Sequence, residues 1–182
     1  MNFQDEKQIL TGDDGMSELL VHTFEPVFDS NSKILILGSF PSVKSRENNF
    51  YYGHPQNRFW RVIAAVFSQA VPITVEEKKR LLLENEIAVW DVIKSCEITG
   101  SADSTIKSVT PNDLSPVLSA ADIGKIYANG KTAQSLYNKY IKKSTGIDIT
   151  VLPSTSPANA VYSLEKLIKE WSVINECNRN CV

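Results

Sequence analysis

The sequence predicts an open α/β sandwich on a parallel sheet, and three observations carry that expectation. Short apolar runs rich in β-branched residues recur at 33–37, 87–93 (IAVWDVI), 123–128 (IGKIYA) and 147–152 (IDITVL). Continuous runs of this kind suit strands buried on both faces. Amphipathic stretches separate them, and such alternation builds layered α/β domains. The segments that carry polar and chemical character follow the strands, where the ligand crevice of an open α/β sheet lies.

The elements follow in order. The first strand, 33–37, runs into a tight Gly38-Ser39-Phe40-Pro41-Ser42 turn. A polar loop then reaches Tyr51 and Tyr52, and HPQNRFW (54–60) opens a helix over 57–67 with an apolar stripe of Phe59, Trp60, Ile63, Ala64 and Phe67. A second helix is expected over 75–84, capped by Thr74, with Glu76 and Glu77 placed to suit its dipole. Strand 87–93 leads to the small polar loop 100–104. A short helix over 111–119, strand 123–128 ending at Asn129-Gly130, a helix over 131–143, strand 147–152, the loop PSTSPAN (153–159) and a helix over 164–174 complete the chain.

With 182 residues, 42% hydrophobic and 22% charged, one domain spanning 1–182 is expected to fill a core. Residues 1–14 and 175–182 are expected to be loosely ordered. The chain has no apolar run of membrane-spanning length and no basic-plus-apolar leader, so an intracellular, cytoplasmic protein is expected. Cys96, Cys177 and Cys181 form no disulfide framework, and no His/Cys cluster completes a metal site, so no metal is expected. The net charge of −2 lacks the basic excess usual for tight nonspecific nucleic-acid binding. A local basic face drawn from Arg58, Arg61, Lys107, Lys131, Lys139, Lys142 and Lys143 is compatible with it.

Several residues have two readings. Gly38 permits close approach of the backbone and Pro41 stiffens the turn. The Ser39 and Phe40 amides therefore either face a ligand or serve a plain strand-to-helix turn. Adjacent Tyr51 and Tyr52 point different ways, so one can pack on the core while the other stacks on a flat ring, an interaction worth about 1–3 kcal/mol for a nucleobase. His54 is either a cap or a base contact. Asp91 interrupts an apolar strand, where a carboxylate needs partners; it either caps a turn or accepts from a ring N–H. Asp103 is a candidate to orient a water and Ser101 to hold a phosphate, against ordinary turn chemistry. Ser154, Thr155, Ser156 and Asn159 have the groups for phosphate binding, against an undirected Ser/Pro loop. Phe59, Trp60, Phe67 and Trp90 read as core.

Taken together, the motifs resemble the uracil-DNA glycosylase superfamily. HPQNRFW is similar to the HPANRFW stretch of its mismatch-specific branch, with GSFPS in the place of GINPG and Tyr52 at the stacking position. GSFPS, YYGHPQNRFW, WDVIKSCEITGSADSTI and PSTSPANA resemble the hypoxanthine (deoxyinosine) branch more closely, and the likeness spans residues 34–171. The resemblance implies a three-layer sandwich with a central four-stranded parallel sheet flanked by helices. It also implies a monofunctional, monomeric glycosylase without cofactor, flipping a deaminated base from double-stranded DNA and hydrolysing its N-glycosidic bond. Base contacts would come from Gly38, Phe40, Tyr52, His54 and Asp91, and backbone contacts from Ser42, Ser101, Ser154, Thr155, Ser156 and Asn159. Phe40 stands where the mismatch-specific branch has a water-positioning Asn, so that role would pass to Ser39 or Asp103, with Asn129 next. Asn159 replaces a His common in the hypoxanthine branch. The cysteines of the iron–sulfur branches are absent. The alternatives are a uracil or mismatch glycosylase and a noncatalytic nucleic-acid or nucleotide-binding domain.

Overall fold

The structure, a computed structural model, describes residues 18–98 and 107–175. A parallel sheet lies at its centre, formed by β2 (Ile34–Gly38), β3 (Ile87–Asp91), β6 (Lys125–Asn129) and β7 (Ile149–Leu152) in the order β3-β2-β6-β7. These are the four strands the apolar runs predict. Successive side chains point to opposite faces, and each face has its own core. Ile34 and Ile36 pack with α2 (Phe59–Val66), α3 (Val75–Glu84) and α7 (Leu164–Trp171) through Phe59, Ile63, Leu82 and Trp171. Leu35 and Leu37 pack with α4 (Ser115–Ala120) and α5 (Lys131–Tyr140) through Val117 and Tyr137. The expected three layers are therefore present.

The predicted α3 boundaries and cap hold. Thr74 Oγ1 accepts from Glu77 N at 3.1 Å, and Glu77 Oε2 accepts from Thr74 N at 3.1 Å, a reciprocal capping box.

The predicted strand over 87–93 is two strands. After Asp91, Val92 N donates to Gly38 O and Ile93 N to Ser39 O. The chain then leaves the parallel sheet as β4 (Ile93–Ile98), which pairs antiparallel with β1 (Glu18–Val21) and β5 (Lys107–Pro111) in a second, three-stranded sheet. Two strands of different sheets read as one because apolar residues run straight through the junction.

The helix expected from residue 111 starts at Ser115, since Pro111 pairs with Ile93 as the end of β5. Asp113 Oδ1 accepts from Ser115 Oγ at 2.6 Å and from Ser115 N at 2.9 Å, and these bonds hold its carboxyl below the usual range. The helix expected over 131–143 is divided at Ile141 into α5 and α6 (Lys142–Thr145), which closes on Gly146 at φ 69°. A short α1 (Val43–Glu47) follows the turn after β2. No helix among the described residues is long and apolar enough to cross a membrane.

Candidate active site

All four parallel strand tips open into one cleft of about 670 Å³. Gly38, Ser39 and Phe40 follow or end β2, Asp91 ends β3, Asn129 and Gly130 follow or end β6, and Ser154 and Ser156 follow β7. Tyr52, His54 and Asn57, between α1 and α2, line the same space. Its size falls in the range of small-molecule clefts, about 300–1,000 Å³. Lys44, Arg46 and Lys131 stand on its wall, so the rim carries positive charge although the chain is net negative.

Gly38 and Asp91 are register partners in the parallel ladder. A Cβ on Gly38 would lie 2.1 Å from Asp91 Oδ1, so glycine is required here for close approach. Among the described residues the carboxylate caps no turn. Asp91 Oδ2 lies 2.9 Å from His22 Nε2, with the two side chains 6% and 2% exposed. Asp91 O accepts from Asn112 Nδ2 at 2.9 Å. The pairing with His22 is what makes a carboxylate tolerable at this depth.

The two tyrosines divide as their alternation predicts. Tyr51 is buried against Phe24 and Phe50, and its hydroxyl donates to Glu25 O at 2.9 Å. Tyr52, at φ 51°, turns the other way, and its ring stacks on Phe59 with centroids 3.9 Å apart and planes at 23°. Tyr52 Oη is sealed from solvent and makes no hydrogen bond of good geometry. Burial first, and then the Asp91 charge, hold both phenols far above their ordinary pKa; at Tyr52 the Asn129 amide opposes this in part.

Thr155 is a hub rather than a surface contact. It is fully buried, Oγ1 donates to Asn57 Oδ1 at 2.9 Å, and Asn129 Nδ2 donates to Oγ1 at 2.9 Å. Its backbone N–H donates to Asn129 Oδ1 at 2.9 Å. Asn57 Oδ1 also accepts from Phe59 N at 2.9 Å. Its hydroxyl holds two asparagine amides at the cleft.

Arg58 fixes the PSTSP loop from below. Its guanidinium donates to Thr155 O (3.3 Å), Ser156 O (2.6 Å), Asn159 O (2.9 Å) and Tyr162 O. Trp171 Nε1 donates to Pro153 O at 2.9 Å. Asn159 Nδ2 is used on Ser154 O at 2.9 Å, so this side chain braces the loop. Ser154 Oγ and Ser156 Oγ accept from Ser156 N and Ala158 N respectively. Ser42 is the N-cap of α1, and its hydroxyl accepts from Ser45 N. His54 Nδ1 accepts from Gln56 N at 3.1 Å, which makes it a turn cap at the cleft wall. Phe40 is 8% exposed with the Arg46 guanidinium 5.6 Å from its ring centroid. Ser101 and Asp103 lie outside the described residues.

Sequence reasoning gave no site role to His22 and Asn57, and offered Arg58 only as part of a local basic face, whereas its guanidinium is spent on the PSTSP loop. Asn57 and Arg58 sit inside HPQNRFW, where two polar residues directly before an aromatic helical stripe are a usable signal. His22 carries none, because its partner lies 69 residues away.

Residues 25–177 match the Uracil DNA glycosylase superfamily. The chain is 35% identical over 153 residues to the Hypoxanthine DNA glycosylase of Methanosarcina acetivorans, covering 83% of this chain and 95% of the relative. It is 34% identical to the protein of the same name from Methanosarcina barkeri, covering 82% and 94%. A solution NMR structure of a proposed uracil DNA glycosylase from M. acetivorans superposes with a TM-score of 0.70 at 33% identity, covering 84% of this chain and 96% of that one. Fold, cleft and these matches agree that the chain belongs to the uracil-DNA glycosylase superfamily.

Proposed function

We propose that this glycosylase removes hypoxanthine from double-stranded DNA, acting as a monomer with all cleft residues supplied by one chain. The observation that carries the reading is the convergence of a flat aromatic wall, a buried acceptor and two braced amides in one cleft: Tyr52, Asp91, Asn57 and Asn129. The names of the two Methanosarcina relatives support hypoxanthine as the base. A DNA substrate also supports the cytoplasmic placement.

An extruded base needs a stacking surface, and Tyr52 backed by Phe59 offers one. Hypoxanthine presents a ring N–H beside a carbonyl, and Asp91 Oδ1 is an acceptor for that N–H. Adenine presents a ring lone pair at the same place, which a carboxylate repels. The reaction breaks the C1′–N9 bond, whose electron pair leaves with the base. Water oxygen bonds to C1′, and the departing base takes up a proton. Positive charge therefore grows on the sugar and negative charge on the base, and donors aimed at the base lower the barrier. Asn57 Nδ2 makes none of the hydrogen bonds found among the described residues, while its Oδ1 is held from two sides, so it is a preoriented donor. The rim cations Lys44, Arg46 and Lys131 and the hydroxyls of Ser154 and Ser156 suit the DNA backbone. Ser39 and Asn129 remain the described candidates for orienting the water, and Asp103 the candidate outside them. Of the two lysines lining the cleft, Lys44 and Lys131, Lys44 is paired with Glu47 at 2.7 Å.

The test is a panel of duplexes carrying one deoxyinosine, one deoxyuridine or no lesion, incubated with purified protein. Alkali-cleavable sites and free hypoxanthine should arise from the first duplex. Cleavage of the deoxyuridine duplex alone would assign uracil as the base, and binding without abasic sites would refute catalysis.

A further inference from the structure

We propose that His22 is a positioning residue for base selection: it grips one oxygen of Asp91 so that the other is a fixed acceptor for the ring N–H of a deaminated base. This inference rests on the glycosylase reading above and deepens it.

His22 sits immediately after β1, in the second sheet, outside the residues 25–177 that match the superfamily. Its backbone N–H donates to Lys94 O at 2.7 Å, which continues the β1–β4 ladder by one residue. The imidazole is set between aromatic rings, with centroids 4.4 Å from Phe24, 6.0 Å from Tyr51 and 6.5 Å from Phe40. A ring so packed has no freedom to follow Asp91 elsewhere. Nε2 meets Oδ2 at 2.9 Å, and Oδ1 is pressed toward the Cα of Gly38, on the cleft side. The carboxylate is thus held from two directions, with one oxygen engaged and the other presented.

The groups that face this carboxylate give it a purpose beyond structure. From β1 comes His22; from the loop after α1 come Tyr51 and Tyr52, whose phenols both feel its charge; Asn112 meets the backbone oxygen. Tyr51 is satisfied by Glu25 O, whereas among the described residues Tyr52 Oη makes no hydrogen bond of good geometry. A carboxylate kept only for stability would be expected to recruit that hydroxyl, which lies close to Gly38 on the same side. Instead Oδ1 is left without it, available to a ring N–H. A buried acceptor built to receive an N–H rejects an analogue that lacks it far more strongly than an apolar pocket rejects a shape change.

The experiment compares wild type, His22→Ala and His22→Gln, the last retaining a side-chain N–H donor. Single-turnover release is measured from duplexes with deoxyinosine and with 1-methyldeoxyinosine, whose ring N–H is blocked, and with deoxyuridine and its 3-methyl form. The wild type should prefer the unblocked base by about 100-fold or more. His22→Ala should shrink that ratio at least tenfold, and His22→Gln should restore most of it. Thermal unfolding is followed in parallel, since a purely structural histidine would lower stability and all rates together and leave the ratio unchanged. An unchanged ratio in His22→Ala, or a wild type indifferent to the methyl group, would overturn the inference. If the wild type released neither hypoxanthine nor uracil, the catalytic reading would fall separately. The ratio would then be read from binding of the same base pairs carried on 2′-fluoro sugars, with the same two outcomes deciding it.

Discussion

Thr155→Val tests whether the cleft depends on the braced amides. The substitution keeps the side-chain shape and deletes one hydroxyl. Two hydrogen bonds disappear, each 2.9 Å: Thr155 Oγ1 to Asn57 Oδ1 and Asn129 Nδ2 to Thr155 Oγ1. Asn57 Oδ1 keeps Phe59 N and Asn129 Oδ1 keeps Thr155 N, so each amide stays tethered at one point. Leaving a buried donor without a partner costs about 1–3 kcal/mol. For a chain of this size that is a fall in Tm of roughly 2–4 °C per kcal/mol. The larger effect is expected on excision, because a reacting group displaced by about 1 Å loses roughly 100-fold. Thr155→Ser, which retains the hydroxyl, should recover most of the rate. Thermal unfolding and single-turnover release from a deoxyinosine duplex read the two effects separately. A Thr155→Val protein that is destabilised but excises at the wild-type rate would refute the argument. So would a Thr155→Ser protein no better than the valine variant.

Four other outcomes are expected. Tyr52→Phe removes a buried hydroxyl that makes no hydrogen bond of good geometry among the described residues, and should raise stability by about 1 kcal/mol in urea unfolding while keeping the stacking surface. Gly38→Ala would drive a Cβ into Asp91 Oδ1, at 2.1 Å, and part it from His22; excision should fall at least about 100-fold with circular dichroism unchanged. Arg58→Met removes the guanidinium's bonds to the carbonyls of Thr155, Ser156, Asn159 and Tyr162, of which the first three keep a backbone N–H donor, and should cost about 1–3 kcal/mol, with faster proteolytic cleavage in residues 153–162. The Ile73 and Thr74 backbone N–H groups hold the Glu77 carboxyl below its usual value. A lowered folded-state pKa adds stability above the unfolded value, and that stability is lost as pH falls through the folded value. The stability gap between wild type and Glu77→Gln should therefore be open at neutral pH and close below about pH 4, as acid-titrated unfolding would show.

The parallel sheet was legible because β2 and β3 are almost wholly buried and carry no polar residue until their tips, while β6 and β7, with exposed Lys125 and Thr150, still keep mostly apolar runs. The placement of GSFPS, Asp91, Asn129-Gly130 and PSTSP at one rim followed from that. The second sheet was not legible. β5 is a polar strand with an exposed face, ending in proline, so Lys107–Pro111 reads as loop followed by helix. β4 is masked by its apolar junction with β3. The chemistry of the site was legible by residue type and less so by role. Thr155, Asn159 and Ser42 have the hydroxyls and amides of phosphate ligands, yet the structure uses all three on internal bonds. Which acceptors a donor meets depends on chain segments about 100 positions apart, as for Arg58 and the loop at 155–162, and no local pattern encodes that.

Asp91 stands where the backbone passes from the large sheet to the small one, and its side chain is gripped by His22, directly after the small sheet's first strand. On the role proposed for Asp91, an opening of that outer three-stranded layer would disarm base reading while the main hydrophobic cores stayed intact. Amide exchange in Leu20–His22 should then set an upper limit on how long each molecule remains competent. Drift in the outer layer's sequence would also be a route to new lesion preferences without disturbing the interior.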